Sequence, residues 1–263
     1  MRRGGFKIRL LIGAAIALFA LVKYCSSAET NPYTGKKQHI SISPKEEIAI
    51  GLSSAPQMAQ QHGGLHPNKQ YQQIVDVIGE KLVANSIAKQ SGYPFEFHLL
   101  RDERAINAFA LPGGQIFITF ALFSKLVNQD GRLNQDMVAG VLGHEIGHVI
   151  GRHSAARMAK QDLTQGLLSG AAVGFDPNTA QGAAAIANVI NMKYGRNDEL
   201  ESDDIGVKLM VDSGYEPKYL INVMEILKAA AGPNRTPEFQ STHPDPENRI
   251  QKIKKAIRKY KTK

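Results

Sequence analysis

The sequence predicts an α+β fold that is mainly α-helical and contains a small antiparallel sheet. Apolar residues recur at helical spacing in residues 68–90 and again in residues 134–151. Residues 95–100 alternate and are rich in aromatics, which indicates a strand. Two more strand-like runs flank Pro112-Gly113-Gly114, which predicts a hairpin directly before the second helix.

The chain of 263 residues is long enough for one domain of ordinary core size after a short N-terminal segment. We divide it into residues 1–28, a polar and turn-rich linker at 29–42, and a single domain at 43–263. Ser43-Pro44 begins that domain as a helix start, because serine caps a helix and proline suits its first position.

The first 28 residues carry the pattern of an export signal. Basic residues precede an uncharged apolar run of 13 residues, Leu10–Val22, that stops at Lys23. This run is short for a membrane-spanning helix, which needs about 20 residues, although its flanks extend it. A cleaved signal and an uncleaved anchor both stay open, and we favour an anchor in the inner membrane. In either case residues 30–263 are expected to be periplasmic or otherwise extracytoplasmic.

The net charge of +8 first suggests a nucleic-acid partner. Its distribution excludes one, because four basic residues lie before position 10 and eight lie from Arg249 onward, which leaves residues 10–248 net acidic. The single cysteine, Cys25, lies outside the predicted domain. The domain therefore has no disulfide, no cysteine-based zinc site and no thiol nucleophile.

The segment His144-Glu145-Ile146-Gly147-His148 lies in an apolar run of helical period. Positions four apart share one face of a helix, so His144 and His148 can direct two imidazoles at a single ion. Neutral imidazoles suit zinc, and Glu145 beside the metal can take a proton from water. The segment predicts one Zn²⁺ per chain and no other small-molecule cofactor.

The alternative is a core helix that carries two histidines by chance. That interpretation must account for Gly140, Gly143, Gly147 and Gly151, since each glycine inside a helix costs about 1 kcal/mol relative to alanine. The glycines lie on adjacent stripes of the helix surface, at spacings of three and four residues. We therefore expect the backbone of another element to pack close to this helix.

A zinc enzyme usually has three protein ligands, and two candidates exist for the third. His153 is near, but on a continued helix it lies about 140° round from His148, so we reject it. Glu199 and Asp203 are four apart in an acidic helix start, so Glu199 can bind the metal while Asp203 accepts the second N–H of a ligating histidine. Glu201 points elsewhere on such a helix. A solvated acidic helix N-terminus is the alternative for this segment.

Four segments together resemble the gluzincin metallopeptidases that include the type I CAAX prenyl protease, HtpX and periplasmic quality-control metalloproteases. They are Asn107–Gly114, His144–His148 followed by Arg152-His153-Ser154, Glu199–Asp203, and Ser241–Pro244 followed by Arg249. The resemblance covers about residues 40–255 and implies a zincin-like metalloprotease domain. Ser202 stands where relatives more often have alanine.

By this resemblance the zinc ligands are His144, His148 and Glu199, and Glu145 is the general base and acid. Asp203 holds a ligating histidine in place. His243 and Arg249 are expected at the cleft, donating to the oxyanion of the reaction. The strand before the helix offers an edge on which an extended peptide pairs. Its residues are Asn107, Ala108, Phe109 and Ala110.

These features predict a zinc-dependent endopeptidase with polypeptide substrates, expected to be misfolded or unassembled envelope proteins. The alternative is a chaperone or assembly factor whose protease is latent and whose zinc is mainly structural. A related hypothesis is that His243 occupies the open zinc position when no substrate is present. Residues 160–190 are rich in glycine and alanine, which is typical of a mobile lid or of closely packed helices, and we favour packing.

Overall fold

The computed structural model describes residues 3–174, 195–230, 239, 243 and 248–262. The chain divides into two compact units, one formed by Met1–Ser43 with Ser154–Met192 and the other by Pro44–His153 with Lys193–Lys263. The described part is mostly helical with little sheet, which confirms the predicted fold class.

The elements follow one another along the chain in an order that places the His-Glu-x-x-His segment after the hairpin. In sequence they are α1 Arg3–Ser26, β1 Ala28–Thr30, β2 Lys37–His39, α2 Pro44–Gln61, α3 Lys69–Ala84, a 3-10 helix Ile87–Ser91, β3 Glu96–Leu100, β4 Ala108–Ala110, β5 Gln115–Thr119, α4 Phe120–Phe123, α5 Gln135–Ile150, α6 His153–Gly174, α7 Arg196–Asp212, α8 Tyr219–Ala230 and α9 Arg249–Lys261.

The segment expected to be a linker at 29–42 contains most of an ordered ribbon. Strands β1 and β2 pair antiparallel, with Glu29 opposite Gln38. The buried side chain of Asn31 makes the turn, because its Oδ1 accepts from the backbone N–H of Tyr33 at 2.8 Å and of Thr34 at 3.1 Å. Local bonds of this kind order a polar segment that has no apolar periodicity to reveal it.

The sheet of the second unit has the strand order β3-β5-β4. Strands β4 and β5 form the predicted antiparallel hairpin, whose turn places Gly113 and Gly114 at positive φ angles of 80° and 109°. Strand β3 pairs parallel to β5, so the sheet is mixed where a purely antiparallel one was expected. The chain leaves β3, crosses to the far edge and returns through the centre. All five residues of β5 are buried, as a central strand requires.

Helix α5 forms the centre of the second unit, and every residue from Met137 to Ile150 is buried. Asn134 caps it, since its Oδ1 accepts from the N–H of Met137 at 3.0 Å. Helix α7 lies directly against α5. A Cβ on Gly143 would come 3.3 Å from the carbonyl oxygen of Gly206, and a Cβ on Gly147 would come 2.8 Å from that of Ser202.

Gly143 and Gly147 therefore serve the close approach of a neighbouring backbone, as predicted. Gly140 faces Leu220 of α8, and Gly151 leaves room for the ring of His153. The hydroxyl of Ser202 donates to the carbonyl of His144, which ties the two helices together at the motif. This contact brings the acidic start of α7 to the histidines of α5.

Candidate metal centre

Four side chains that can bind a metal meet at the α5–α7 contact. His144, His148, Glu199 and His243 are all buried, and their ligand atoms lie within 4.8 Å of one another. The Nε2 atoms of His144 and His148 are 3.1 Å apart. Each of them lies 3.5 Å from a carboxylate oxygen of Glu199.

These separations fit a tetrahedral ion. Zinc at 2.0–2.1 Å from each ligand places neighbouring ligand atoms about 3.3 Å apart. Nδ1 of His243 completes the set, at 3.1 Å from Oε1 of Glu199 and 3.5 Å from Nε2 of His144. Nitrogen and carboxylate ligands without sulfur suit Zn²⁺, and the burial of all four excludes a loosely hydrated ion.

Asp203 fixes the orientation of His144. The Nδ1–H of His144 donates to Oδ1 of Asp203 at 2.9 Å, which leaves Nε2 as the lone-pair atom facing the cluster. Arg249 in turn holds Asp203 with two hydrogen bonds, from Nε at 2.7 Å and from Nη2 at 2.9 Å. Nη2 also lies 3.4 Å from Oε2 of Glu199.

These contacts place the Arg249 guanidinium on the carboxylates behind the ligands. The resemblance implies that Arg249 donates to the oxyanion of the reaction. In this structure its N–H groups point instead at the carboxylates of Asp203 and Glu199. The oxyanion role of Arg249 is not supported by these contacts and stays a prediction.

His148 is oriented by a relay that sequence reasoning missed. Its Nδ1–H donates to Nδ1 of His153 at 2.9 Å, and Nε2–H of His153 donates to Oε2 of Glu201 at 3.1 Å. His153 is not one of the four clustered side chains, but it contacts one of them, His148. Glu201 was expected to point elsewhere, and it points at His153. Each of the two residues lies close in sequence to a proposed ligand, which was the one hint of their role. That they contact each other depends on how α5 and α7 cross.

Glu145 lies beside the ligand cluster and is fully buried. Within the described part of the chain, neither of its carboxylate oxygens has a hydrogen-bond partner, and the same holds for Oε2 of Glu199. Nε2 of His243 lies 3.7 Å from Oε1 of Glu145. Buried carboxylate oxygens of this kind fit a site that takes a cation and a water molecule.

Burial and the neighbouring carboxylates and imidazoles shift the pKa values of the site's side chains. Burial lowers the pKa of His144, but the hydrogen bonds to Asp203 and Glu199 outweigh it and raise that pKa to about 9. Burial and the neighbouring His144 both lower the pKa of His148. Burial raises the pKa of Glu145. Negative potential at the ligand atoms favours a divalent cation, and a Glu145 pKa above its usual value suits proton transfer near neutral pH.

The predicted peptide-binding strand, β4, is an edge strand of the three-stranded sheet. Ala108 and Ala110 are buried, and the half-buried Phe109 ring stacks on Phe117 with centroids 4.9 Å apart. The backbone N–H of Asn107 donates to Oγ1 of Thr119 at 3.1 Å. Just before the strand, the carbonyl of Ile106 accepts from the N–H of Phe239 at 3.2 Å.

Phe239 links this strand to the metal cluster. Its ring stacks on His243 with centroids 4.3 Å apart, and its carbonyl accepts from the N–H of His243 at 2.7 Å. The other residues of the predicted Ser241–Pro244 segment, and residues 175–190 of the predicted glycine- and alanine-rich region, lie outside the described residues.

Comparisons with known proteins agree with this site. A model of Peptidase family M48 matches residues 69–257. The mitochondrial metalloendopeptidase OMA1 of Schizosaccharomyces pombe is 26% identical over 94% of this chain and 71% of its own length. The beta-barrel assembly-enhancing protease of Escherichia coli K12 is 28% identical over 86% of this chain and 47% of its own length.

The OMA1 of Saccharomyces cerevisiae is 32% identical over 64% of this chain and 48% of its own length. The chain thus spans about half the length of two of these three relatives. The family model matches well over half of the chain and includes His144, His148 and Glu199. The resemblance inferred from the motifs is confirmed, and the chain belongs to Peptidase family M48, a family of metallopeptidases.

Proposed function

We propose that this protein is a zinc-dependent endopeptidase that works on the extracytoplasmic side of a membrane. The observation that carries the proposal is the buried set of His144, His148 and Glu199 with Glu145 beside it. Two imidazoles, a carboxylate and an adjacent general base are what zinc-dependent hydrolysis of a peptide bond needs. We propose residues 43–263 as the protease domain, of which Pro44–His153 and Lys193–Lys263 form one compact unit.

His144, His148 and Glu199 would hold Zn²⁺, which when bound supplies a Lewis acid to polarise the peptide carbonyl and the attacking water. Glu145 accepts a proton from that water on a carboxylate oxygen and delivers it to the departing amine. Asp203 keeps the Nδ1 proton on His144, and His153 does so on His148. Each imidazole thereby presents Nε2 to the metal.

We further propose that the described conformation is latent. Nδ1 of His243 takes the position that water and the peptide carbonyl need, next to His144 and Glu199. Phe239 lies on His243 and hydrogen-bonds to Ile106 beside β4. Substrate binding then displaces His243 and Phe239 together, after which His243 is free to donate to the oxyanion as the resemblance implies.

The membrane location is proposed from α1 and the ribbon after it. Residues Phe6–Ser26 form a helix long and apolar enough to cross a membrane. Beyond the helix, Nδ1–H of His39 donates to the carbonyl of Tyr24 at 2.8 Å, and the N–H of Ile40 donates to that of Ser27 at 2.9 Å. Ser26-Ser27-Ala28 has the small-x-small pattern of a signal-cleavage site. The two bonds span this site, so they favour a retained anchor over a cleaved signal.

The proposed substrates are misfolded or unassembled envelope proteins. The name of the Escherichia coli relative refers to the assembly of β-barrels, and those of the yeast relatives refer to mitochondria. An edge strand near the metal suits extended segments of unfolded chains, because pairing through main-chain atoms is independent of sequence.

The first test pairs the wild type with Glu145→Gln. Both proteins are expected to contain one zinc per chain, and casein cleavage should fall by at least about 10³-fold in the variant because the proton acceptor is lost. Casein cleavage that survives the change in zinc-loaded protein would refute the role of Glu145.

The latent site favours one other candidate, a chaperone or assembly factor with mainly structural zinc. That candidate predicts that release of a bound unfolded protein needs no cleavage and is the same in the wild type and in Glu145→Gln. The proteolytic proposal predicts instead that Glu145→Gln retains the bound protein intact, which gel analysis of the released material distinguishes.

A further inference from the structure

Helix α1 presents apolar side chains to its surroundings along its length. Leu11, Leu18 and Phe19 are exposed to 71%, 62% and 72% of their surface. The apolar stretch Phe6–Ser26 has 21 residues, and 18 consecutive residues within it have a mean hydropathy of 2.0. At 1.5 Å per residue it rises about 31 Å, which matches the hydrocarbon thickness of a bilayer at about 30 Å.

Helix α6 runs antiparallel along α1 within the same compact unit. At one end Nζ of Lys23 lies 3.3 Å from Oδ2 of Asp162. At the other end Nε of Arg9 donates to the carbonyl of Val173 at 3.2 Å. The two helices therefore lie side by side over most of the apolar part of α1.

Between these ends the two backbones approach closely through small residues. A Cβ on Gly170 would come 2.5 Å from the carbonyl oxygen of Gly13, and a Cβ on Gly166 would come 2.4 Å from Cβ of Ala20. Glycines four apart that admit a neighbouring backbone are typical of helix pairs in membranes, where burial of apolar surface does not drive association.

The polarity of α6 changes at the level of the Lys23–Asp162 pair. Residues 153–162 include Arg157, Lys160 and Asp162, whereas residues 163–174 contain no charged side chain. Leu167 and Ala171 in this second part are exposed. An uncharged, outward-facing segment that begins where the anchor's apolar stretch ends suits a bilayer boundary at Asp162.

We propose that residues 163–174 of α6 enter the hydrocarbon core beside α1, so that the membrane element of this protein is a pair of helices. The proposal rests on the membrane location proposed above for α1. The bilayer is the partner because apolar side chains of both helices face outward over the depth at which they pair.

Arg9 supports this placement. Its Nε donates to the carbonyl of Val173 at 3.2 Å, which ties the start of the anchor's apolar stretch to residues 163–174 of α6. Cleavage after Ala28 would remove both this donor and the surface against which Gly166 and Gly170 pack, so the proposal requires α1 to be retained.

Site-directed spin labelling tests the proposal on the full chain in vesicles of phosphatidylethanolamine and phosphatidylglycerol. Cys25 is replaced by serine, and single cysteines are placed by Ala171→Cys in α6, Leu18→Cys in α1 and Gln161→Cys just outside the proposed boundary. Collision rates of the label with oxygen, which enters the bilayer, and with a neutral nickel chelate, which stays in water, report its depth.

The proposal expects a several-fold higher ratio of oxygen to nickel collisions at positions 171 and 18 than at 161. A lipid-like ratio at 18 with a water-like ratio at 171 overturns the proposal for α6 and leaves the α1 anchor standing. Water-like ratios at both positions overturn the anchor and this proposal together. Protein that no longer contains residue 18 after expression also overturns the proposal, because α1 would have been cleaved.

Discussion

At the scale of single residues, two of the proposed metal ligands, His144 and His148, are each held by a partner that leaves Nε2 free for an ion. Asp203 and Arg249 hold His144, and His153 and Glu201 hold His148. Ligand partners of this kind fix the tautomer of an imidazole and raise its basicity. The relay through His153 should therefore affect metal binding even though neither of its residues touches the ion.

The relay is tested by Glu201→Ala. Without the carboxylate, Nε2–H of His153 loses its acceptor and His148 loses its fixed orientation, so zinc affinity should fall by about tenfold or more. Competition with a fluorescent chelator measures this affinity. Asp204→Ala is the matched control, because Asp204 lies on the same helix and pairs with Lys259 at the surface. Equal affinities in the two variants would contradict the relay.

The sequence predicts part of this arrangement because two pairs of its side chains each lie four apart on one helix. His144 with His148, and Glu199 with Asp203, need only helical periodicity to share a face. The relay could not be predicted, because His153 and Glu201 are 48 positions apart and meet only through the crossing of two helices. The fork of Arg249 on Asp203 depends on a third helix in the same way.

At the scale of elements, the site depends on how closely α5 and α7 approach. Glycines on α5 remove the side chains that would separate the two backbones, and Ser202 ties α7 to the carbonyl of His144. Periodicity predicted the helices and the hairpin, but it did not predict the parallel pairing of β3. A strand's partner depends on where the chain crosses, and alternation along the strand does not encode that.

The helix contact is tested by Gly147→Ala. The added Cβ would lie 2.7 Å from Oγ of Ser202, so α7 must move away. We expect the free energy of unfolding, measured by urea denaturation, to fall by about 2 kcal/mol, despite the better helix propensity of alanine.

Gly140→Ala is the control, since its Cβ would meet Leu220 at 3.4 Å, an ordinary contact. Its unfolding free energy should change by less than about 1 kcal/mol. Zinc content should drop in Gly147→Ala and stay at one per chain in Gly140→Ala. Matching stability and zinc content in the two variants would show that the approach of α7 does not set the site.

At the scale of the whole molecule, the metal would join three parts of the chain. Its ligands come from α5, from α7 and from His243, which are far apart in sequence. An ion that binds only the folded chain stabilises it in proportion to the logarithm of its concentration over Kd. The bound metal should therefore act as a crosslink of the protease domain.

Chelation tests this role. Removal of zinc by EDTA should lower the Tm of the wild type by roughly 5 °C or more, and readdition of zinc should restore it. Calorimetry or far-ultraviolet circular dichroism measures the change in Tm. The Tm of Glu199→Gln should respond little, because a ligand charge is missing. A wild-type Tm that is unchanged by EDTA would mean that metal and fold are not coupled.

The central claim is that one zinc ion lies between α5 and α7, and anomalous scattering at the zinc absorption edge tests it most directly. In crystals of the full chain, the account predicts one peak within about 2.1 Å of Nε2 of His144, Nε2 of His148 and a carboxylate oxygen of Glu199. A peak instead at His153, Asp198 and Glu201, a second group close enough to hold an ion, would contradict it, as would zinc-loaded crystals with no peak at either place.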